Sequence, residues 1–523
     1  MLAWTQPYSG GATKPPLFSP VCIKNMALLK QNILANLAGG IWIGLLTLII
    51  TPLQVNLLGM EAYGVLGFIA ALQIMATVLD LGLSTTLTRE LAGDTSSGHA
   101  ASRPLLRTAL TFYWGMAILI GLLLSVPAGQ IATTWFNPNT LDAATLEKTL
   151  RVVAVFLALR WPVSLYSGVL AGAQRMVTLN LVKSSMTSLR LLGGILVLLA
   201  WRDLGIFVTW IACSALIEVL TYAVVCRRIL PGMDWRPGFS LPALSAVWRF
   251  SLSMNALAVL GMGITQLDRL LIGKMLPLED MGYYSLAYSA ATSISLILTA
   301  LSSALMPSLA AAYSANARST LLSRYSSASR VMLFATGLVL FPLFFFGEDL
   351  LAIWVNPDAA AGAWYPLMLL ACGFWLGAIY SNAYSMAIAC RATSLILKVS
   401  ILSALPYALG LYWSIGLWGI AGAAGAWFAL NLVYVLTIIP MVHHIVLKTP
   451  ATPWFSTILL PFLLLGVATF GGARLTSHLL FHNTFALGML IPAVIAYAGI
   501  GYFLLGATVR NDITQTLRRY AKA

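Results

Sequence analysis

The sequence predicts an all-α polytopic membrane protein of about fourteen transmembrane helices. Of its 523 residues, 59% are hydrophobic. Only 9% are charged, whereas about a quarter of an average soluble domain is charged. A soluble fold could not cover so much apolar surface, but a bilayer acts as a solvent for it. Long apolar segments also recur along the whole chain.

Fourteen segments are long and apolar enough to cross a hydrocarbon core about 30 Å thick. Their limits are 33–57, 63–86, 105–128, 150–173, 181–200, 206–226, 250–274, 283–306, 330–354, 364–389, 398–416, 418–442, 455–473 and 485–507. Several contain proline, namely Pro52, Pro162, Pro342, Pro406, Pro461 and Pro492. We expect these prolines to kink their helices, at a cost that neighbouring helices offset.

Lysine and arginine in the loops predict the orientation of the chain. With the N-terminus in the cytoplasm, the tails and the even-numbered loops hold 23 of the 30 basic residues. The odd-numbered loops hold Lys148, Arg151, Arg202, Lys274 and Arg474. Because basic residues concentrate on the cytoplasmic side, both termini are predicted to be cytoplasmic. The net charge of +14 does not predict a nucleic-acid partner, since no basic patch is interleaved with aromatic residues.

The sequence contains an internal repeat. Glu61 and Gly64 lie where the first span meets the second, and Glu279 and Gly282 lie where the seventh meets the eighth. Six spans separate the copies, so the repeats are parallel, as in transporters with two lobes related by an axis along the membrane normal. The predicted organisation is a disordered cytoplasmic tail (1–25), an N-lobe (26–230), a cytoplasmic linker (231–247), a C-lobe (248–447), two further helices (448–509) and a cytoplasmic C-terminal tail (510–523).

No cofactor or metal site is predicted. Four of the five cysteines lie in or at the ends of apolar segments, and none forms a Cys-x-x-Cys pair. His478 and His482 have the spacing of two metal ligands on a helix but lack a third ligand nearby. The chain also lacks a P-loop and the Gly-x-Ser-x-Gly and His-Glu-x-x-His motifs.

Three motifs resemble those of a known family. Residues 267–276 (Leu-Asp-Arg-Leu-Leu-Ile-Gly-Lys-Met-Leu) and 281–287 (Met-Gly-Tyr-Tyr-Ser-Leu-Ala) resemble the seventh-span signature of polysaccharide-transport flippases. Residues 80–83 (Asp-Leu-Gly-Leu), followed by Arg89 and Glu90, resemble the end of the second span, and residues 168–175 resemble the end of the fourth. The likeness extends over nearly the whole chain from Met26. The family is the Wzx-type oligosaccharide flippases, whose superfamily also holds lipid II flippases and multidrug and toxin extrusion antiporters.

The resemblance implies a flippase rather than an enzyme. Its substrate would be an undecaprenyl-pyrophosphate-linked oligosaccharide of O-antigen or exopolysaccharide synthesis, moved by alternating access to the periplasmic leaflet of a bacterial inner membrane. Its driving force would be a proton or sodium gradient or the removal of product. Its partners would be this substrate, membrane lipids and polysaccharide polymerase or assembly proteins.

Two alternatives stay open from the sequence. One is a multidrug or cation antiporter, or a lipid II flippase, of the same superfamily. The other is a membrane polysaccharide polymerase or ligase. Enzymes of that kind usually carry a large periplasmic loop, whereas the longest external loop here, about 129–149, is short.

Charged residues inside the spans are the candidate site residues, because a charge at the bilayer centre costs about 2.5–3.5 kcal/mol on insertion scales. Arg160 and Glu218 lie near the middle of spans four and six, at similar depth. Arg160 is predicted either to bind a lipid pyrophosphate in a central cavity or to neutralise Glu218 as a structural pair. Both can hold.

Four further charged residues are candidates. Asp268 and Arg269 lie in span seven, and we expect one to face the cavity and the other a neighbouring helix or the interface. Asp268 is a candidate for ion coupling, and Arg269 is a substrate ligand or a snorkelling or paired group. Arg190, placed at the cytoplasmic end of span five, is a substrate ligand or an interfacial anchor. Asp80 is an ion site or a packing residue paired with a loop arginine such as Arg89.

Overall fold

The computed structural model describes residues 20–78, 80, 82–93, 102–240, 260–481 and 486–520. Within these ranges every regular element is a helix. The helices are α1 Pro20–Leu58, α2 Met60–Val78, α3 Leu83–Gly93, α4 Arg103–Ser125, α5 Ala128–Thr134, α6 Ala143–Gly172, α7 Met176–Trp201, α8 Leu204–Ile229, α9 260–275, α10 Leu278–Ala291, α11 Ser293–Ser314, α12 Arg318–Trp354, α13 Pro357–Ala389, α14 Thr393–Met441, α15 Thr452–Trp454, α16 Leu460–Gly466, α17 Gly472–Phe481, α18 Ala486–Leu504 and α19 Ala507–Tyr520. The predicted all-helical class is confirmed.

Eleven of the described helical segments are long and apolar enough to span a membrane. One of them, Thr393–Leu447, has 55 residues and is interrupted at Gly419, where φ is 57° and ψ is −138°. Helix α14 therefore consists of arm A (residues 393–418) and arm B (residues 420–441), which match the predicted eleventh and twelfth spans. The count of fourteen stays a prediction, because part of the predicted seventh span lies outside the described residues and the predicted eighth is divided between α10 and α11.

The helices pack as two groups with two helical segments beside them. In the first half, α6 packs on α4 and α8, while α7 packs on α1 and α8. In the second half, α13 packs on α12 and α14. The last two spanning segments lie against α12, where Arg474 Nη1 is 2.6 Å from Asp349 Oδ2. This packing agrees with a two-lobe arrangement, and the domain limits stay predictions.

The two copies of the repeat contact each other at one end of the bundle, which we call the turn end because α1 turns into α2 there. A Cβ on Gly64 would lie 2.3 Å from the Leu278 carbonyl oxygen, and one on Gly282 would lie 2.1 Å from that of Met60. Only glycine permits such close backbone approach at both positions. The repeated glycines therefore join the halves directly.

Further contacts between the halves lie at the turn end. The Leu278 amide donates to the Asn137 carbonyl oxygen at 3.1 Å, and Lys274 Nζ donates to the Thr134 carbonyl oxygen at 2.9 Å. Trp354 Nε1 donates to the Leu48 carbonyl oxygen at 2.9 Å. Hydrogen bonds and close packing thus hold the two halves together at this end.

The two predicted tails and the linker differ in part from expectation. Residues 1–19 of the predicted disordered tail lie outside the described residues, but α1 already begins at Pro20. Most of the C-terminal tail belongs to α19. The described part of the linker is irregular and lies against α4, where Arg107 Nη1 is 3.4 Å from Asp234 Oδ2. The Gly238 amide also donates to the Arg107 carbonyl oxygen at 3.3 Å.

Candidate functional site

Three helices of the first half bring three charged residues together. Arg160 lies on α6, Arg190 on α7 and Glu218 on α8, each near the middle of its helix. The sequence prediction placed Arg190 at the cytoplasmic end of its span, which is wrong. Helix α7 begins at Met176, before the predicted start of the span at 181, so Arg190 lies near mid-helix. Arg160 is therefore not the only basic residue at this depth.

Both arginines bind the same carboxylate oxygen. Arg190 Nη1 is 2.9 Å from Glu218 Oε2, and Arg160 Nη1 is 3.2 Å from it. The Glu218 side chain is 3% exposed, while those of Arg160 and Arg190 are 21% and 15% exposed. Arginine keeps its charge in proteins, so two positive charges face one negative charge. We call these three residues the charge triad; it carries one surplus positive charge.

Of the two roles predicted for Arg160, the triad shows the structural pair with Glu218. The predicted pair between Arg160 and Glu218 is present, but Glu218 is already neutralised by the shorter contact with Arg190. A buried carboxylate needs at least one such partner, because an unpaired charge inside a protein is strongly destabilising. The second arginine is not needed to neutralise Glu218. The triad as a whole therefore keeps one positive charge beyond what Glu218 requires.

A second group of polar residues lies between α9 and α10. Asp268 is 1% exposed and accepts a hydrogen bond from the Tyr284 hydroxyl at 2.5 Å. The Arg269 backbone amide donates to the other carboxylate oxygen at 2.8 Å. Asp268 is thus held by neutral donors and has no ion pair with another side chain in the described part of the protein.

Arg269 is 5% exposed, so the expectation that it snorkels to the membrane surface is wrong. Its guanidinium lies 3.6 Å from the ring centre of Tyr288, where the aromatic face stabilises a cation. Its Nε finds no partner among the described residues. Asp268 and Arg269 therefore both contact tyrosines of α10, although adjacent helical residues point in different directions.

Among the described residues, Asp80 has no ion pair with a loop arginine of the kind predicted. Ser84 Oγ donates to Asp80 Oδ2 at 2.5 Å, and the other oxygen is buried without a partner among the described residues. Arg89 instead lies 3.1 Å from Glu90. Asp80 is a hydrogen-bonded residue at the junction of α2 and α3.

Sequence reasoning missed Tyr284 and Tyr288, the partners of Asp268 and Arg269. A signal existed, because two tyrosines four positions apart lie on one face of a helix. Gln266 was also missed; it is 2% exposed, and its side-chain oxygen lacks a partner in the described ranges. Within those ranges, no three His, Cys, Asp or Glu side chains come together as a metal site requires.

Comparison with solved structures defines the class of fold. The chain is similar to the lipid II flippase MurJ in an inward closed conformation, with a TM-score of 0.69, 11% identity, and coverage of 91% of this chain and 99% of that one. It is also similar to an inward-facing multidrug resistance MATE family transporter of the MOP superfamily, with a TM-score of 0.59, 15% identity, and coverage of 80% and 95%. The fold is that of a multi-pass membrane transporter.

Sequence comparison then gives the family. Residues 29–313 match the family model described as polysaccharide biosynthesis protein, and the chain belongs to this family. A Shigella flexneri protein named "Putative O-antigen transporter" is 21% identical over 377 residues, which are 71% of this chain and 87% of that protein. The resemblance to polysaccharide-transport flippases inferred from the motifs is confirmed. The relative and the two structural neighbours are named as transporters or flippases, not as enzymes.

Proposed function

We propose that this protein flips an undecaprenyl-pyrophosphate-linked oligosaccharide from the cytoplasmic to the periplasmic leaflet of a bacterial inner membrane. The observation that carries the proposal is the surplus positive charge of the charge triad at mid-helix. Membership of the polysaccharide biosynthesis family supports a polysaccharide precursor as the cargo. The name of the Shigella relative supports a role in O-antigen synthesis.

The pyrophosphate of the proposed cargo is complementary in charge to the charge triad. A pyrophosphate carries concentrated negative charge that loses water as it crosses the bilayer, and a fixed cation offsets this loss. Arginine suits the task because its planar guanidinium binds phosphate oxygens in pairs. In our proposal Arg160, the more exposed arginine, binds the pyrophosphate. Arg190 and Glu218 remain as a neutral pair that positions it.

Access to the site would alternate between the two sides of the membrane. The predicted orientation places the turn end at the periplasmic face. Since the halves are joined there through Gly64 and Gly282, substrate would enter from the cytoplasmic side. Separation of the halves at the turn end would then release it to the periplasm.

Ion coupling is assigned in this proposal to the acidic residues. Asp268, held by Tyr284, is the first candidate for a proton or sodium site, and Asp80 is the second. Arg269 is buried and stacked on Tyr288, and it would become a further cation for the substrate when the halves separate. Polysaccharide polymerase or assembly proteins would receive the product.

The orientation is tested with alkaline phosphatase fused after Ala523. The 23-to-5 distribution of basic residues predicts a cytoplasmic C-terminus. We expect low phosphatase activity in intact cells, because the enzyme matures only in the periplasm. A fusion after Phe481, between the predicted thirteenth and fourteenth spans, is the matched positive control. High activity from the C-terminal fusion would contradict the orientation.

Transport is tested in vesicles of phosphatidylethanolamine and phosphatidylglycerol that contain the purified protein and a fluorescent undecaprenyl-pyrophosphate-linked sugar. A membrane-impermeant quencher reports how fast the label of the inner leaflet reaches the outer leaflet. We expect faster exchange than in protein-free vesicles. If the protein moves an organic cation such as rhodamine 6G but not the labelled lipid, the antiporter alternative is favoured.

A further inference from the structure

A long groove lies in the second half of the protein, away from the charge triad. Its volume is about 1120 Å³, and it is formed by α13 and the two arms of α14. Leu411, Tyr407 and Leu430 form its buried floor, and Leu402 and Trp418 lie at its exposed rim. The groove is therefore open toward the surroundings of the helices and almost entirely apolar.

The length of the groove decides what fits in it. Arm A lines it from Lys398 to Trp418, and arm B lines it from Ala421 to Met441. Each stretch rises about 30 Å at 1.5 Å per residue, which equals the full thickness of a hydrocarbon core. A phospholipid acyl chain reaches only through one leaflet. A single chain that fills this groove must cross both.

The polar groups of the groove are few and unevenly placed. Lys398 lies at the end opposite the turn end and has no ion pair in the described ranges. The Tyr407 side chain is 6% exposed, and its hydroxyl has no hydrogen-bond partner among the described residues. A single cation at one end of an apolar groove is complementary to a lipid with an anionic head and a long hydrocarbon chain.

We propose that the groove holds the polyisoprenoid chain of the lipid-linked substrate while the charge triad binds its pyrophosphate head. The inference rests on the proposed function, and it adds a place for the part of the substrate that never leaves the membrane. A chain lying in a groove that crosses both leaflets can follow its head from one side to the other without leaving the protein. Lys398 pairs with the lipid phosphate before the head moves toward the triad.

The occupant is identified by photo-crosslinking. The crosslinker p-benzoyl-phenylalanine is placed at position 402 in the groove and, as a control, at position 123, an exposed leucine of α4. The purified protein is reconstituted with phosphatidylglycerol and undecaprenyl phosphate, illuminated and analysed by mass spectrometry. We expect the undecaprenyl phosphate adduct at position 402 and not at 123. Adducts at 402 with phospholipid, with another segment of this chain or with a second copy would overturn the proposal, as would no adduct.

Blocking the groove tests its role in transport. A Cβ on Gly425 would meet no described atom within 4 Å, so Gly425→Phe fills the groove without a clash at Cβ. Gly115→Phe on the exposed face of α4 is the matched control, since its Cβ is equally free. We expect Gly425→Phe to slow flipping of the undecaprenyl substrate by roughly tenfold or more, about 1.4 kcal/mol. Gly115→Phe should leave it unchanged.

A short-chain substrate separates this inference from the proposed function. A geranyl-pyrophosphate-linked sugar has the same head but cannot fill the groove. We expect Gly425→Phe to flip it at the wild-type rate. Unchanged flipping of the long-chain substrate, or equal loss for both chains, would overturn the groove proposal. If the wild-type protein flips neither substrate, the flippase function itself fails, and the adduct at position 402 still decides whether the groove binds the chain.

Discussion

The α7–α8 hairpin and the two arms of α14 occupy matching positions in the two halves of the chain, yet they differ in chemistry. Helix α6 ends at Gly172 and α13 at Ala389, and α7 begins at Met176 and arm A at Thr393, an offset of 217 at both places. At this offset the residues of the charge triad, Arg160, Arg190 and Glu218, correspond to Gly377, Tyr407 and Val435. One half carries charges where the other carries none.

The two hairpins also differ in how closely their helices pack. A Cβ on Gly193 of α7 would lie 2.2 Å from the Trp210 ring of α8, whereas one on Gly410, its counterpart in arm A, would meet nothing described within 4 Å. The first hairpin is closed around an ion cluster, and the second is open along an apolar groove. A substrate with an anionic head and a hydrocarbon tail needs one site of each kind, which a pair of identical halves would not provide.

The largest expected effect follows from removing the shared carboxylate. Glu218→Gln leaves Arg160 and Arg190 side by side without a counter-charge. Breaking a buried ion pair in this way costs roughly 3–5 kcal/mol. We expect the membrane level of the variant to fall severely, as measured by immunoblot and by thermal unfolding in detergent. Wild-type abundance would show that the triad does not stabilise the first half.

A smaller effect on stability should distinguish the closed α7–α8 hairpin from the open hairpin of α14. Gly193→Ala forces its Cβ into Trp210, and overpacking of this kind costs about 1–3 kcal/mol. Gly410→Ala adds the same methyl group where the space is free, so helix propensity should make it neutral or slightly stabilising. Thermal unfolding of the two variants in parallel checks the difference. Equal melting temperatures would mean that the hairpins are packed alike.

The smallest effect is expected at the floor of the groove. Tyr407→Phe removes a hydroxyl that has no hydrogen-bond partner among the described residues. Because no bond is lost, we expect a change in unfolding free energy within about 0.5 kcal/mol. Denaturant or thermal unfolding measures it. A loss well above that value would reveal a polar partner for this hydroxyl and hence a more polar groove floor.

Much of the fold could be predicted from the sequence. Composition alone gives the helical membrane class, since so apolar a chain needs a bilayer. The equal depth of Arg160 and Glu218 predicted their ion pair. Arg190 was misplaced because the polar residues at the start of α7 concealed the true beginning of the helix.

Other features left little trace in the sequence. Tyr284 and Tyr288 are uncharged, and tyrosine is ordinary in a membrane helix, so their contacts with Asp268 and Arg269 were not anticipated. The groove was missed for a related reason. Apolar residues that line a cavity and apolar residues that face lipid have the same composition, and only the packing of the helices distinguishes them.

The central claim is that the surplus charge of the triad serves the substrate rather than the fold. Arg160→Ala tests it most directly, because it removes that charge and leaves the neutral pair of Arg190 and Glu218 intact. Flipping of the undecaprenyl-pyrophosphate-linked sugar is measured in vesicles at matched protein amount, with Arg160→Lys as the conservative control. We predict a loss of at least roughly tenfold for Arg160→Ala, about 1.4 kcal/mol, at unchanged abundance, and partial activity for Arg160→Lys. Wild-type flipping by Arg160→Ala would contradict the claim.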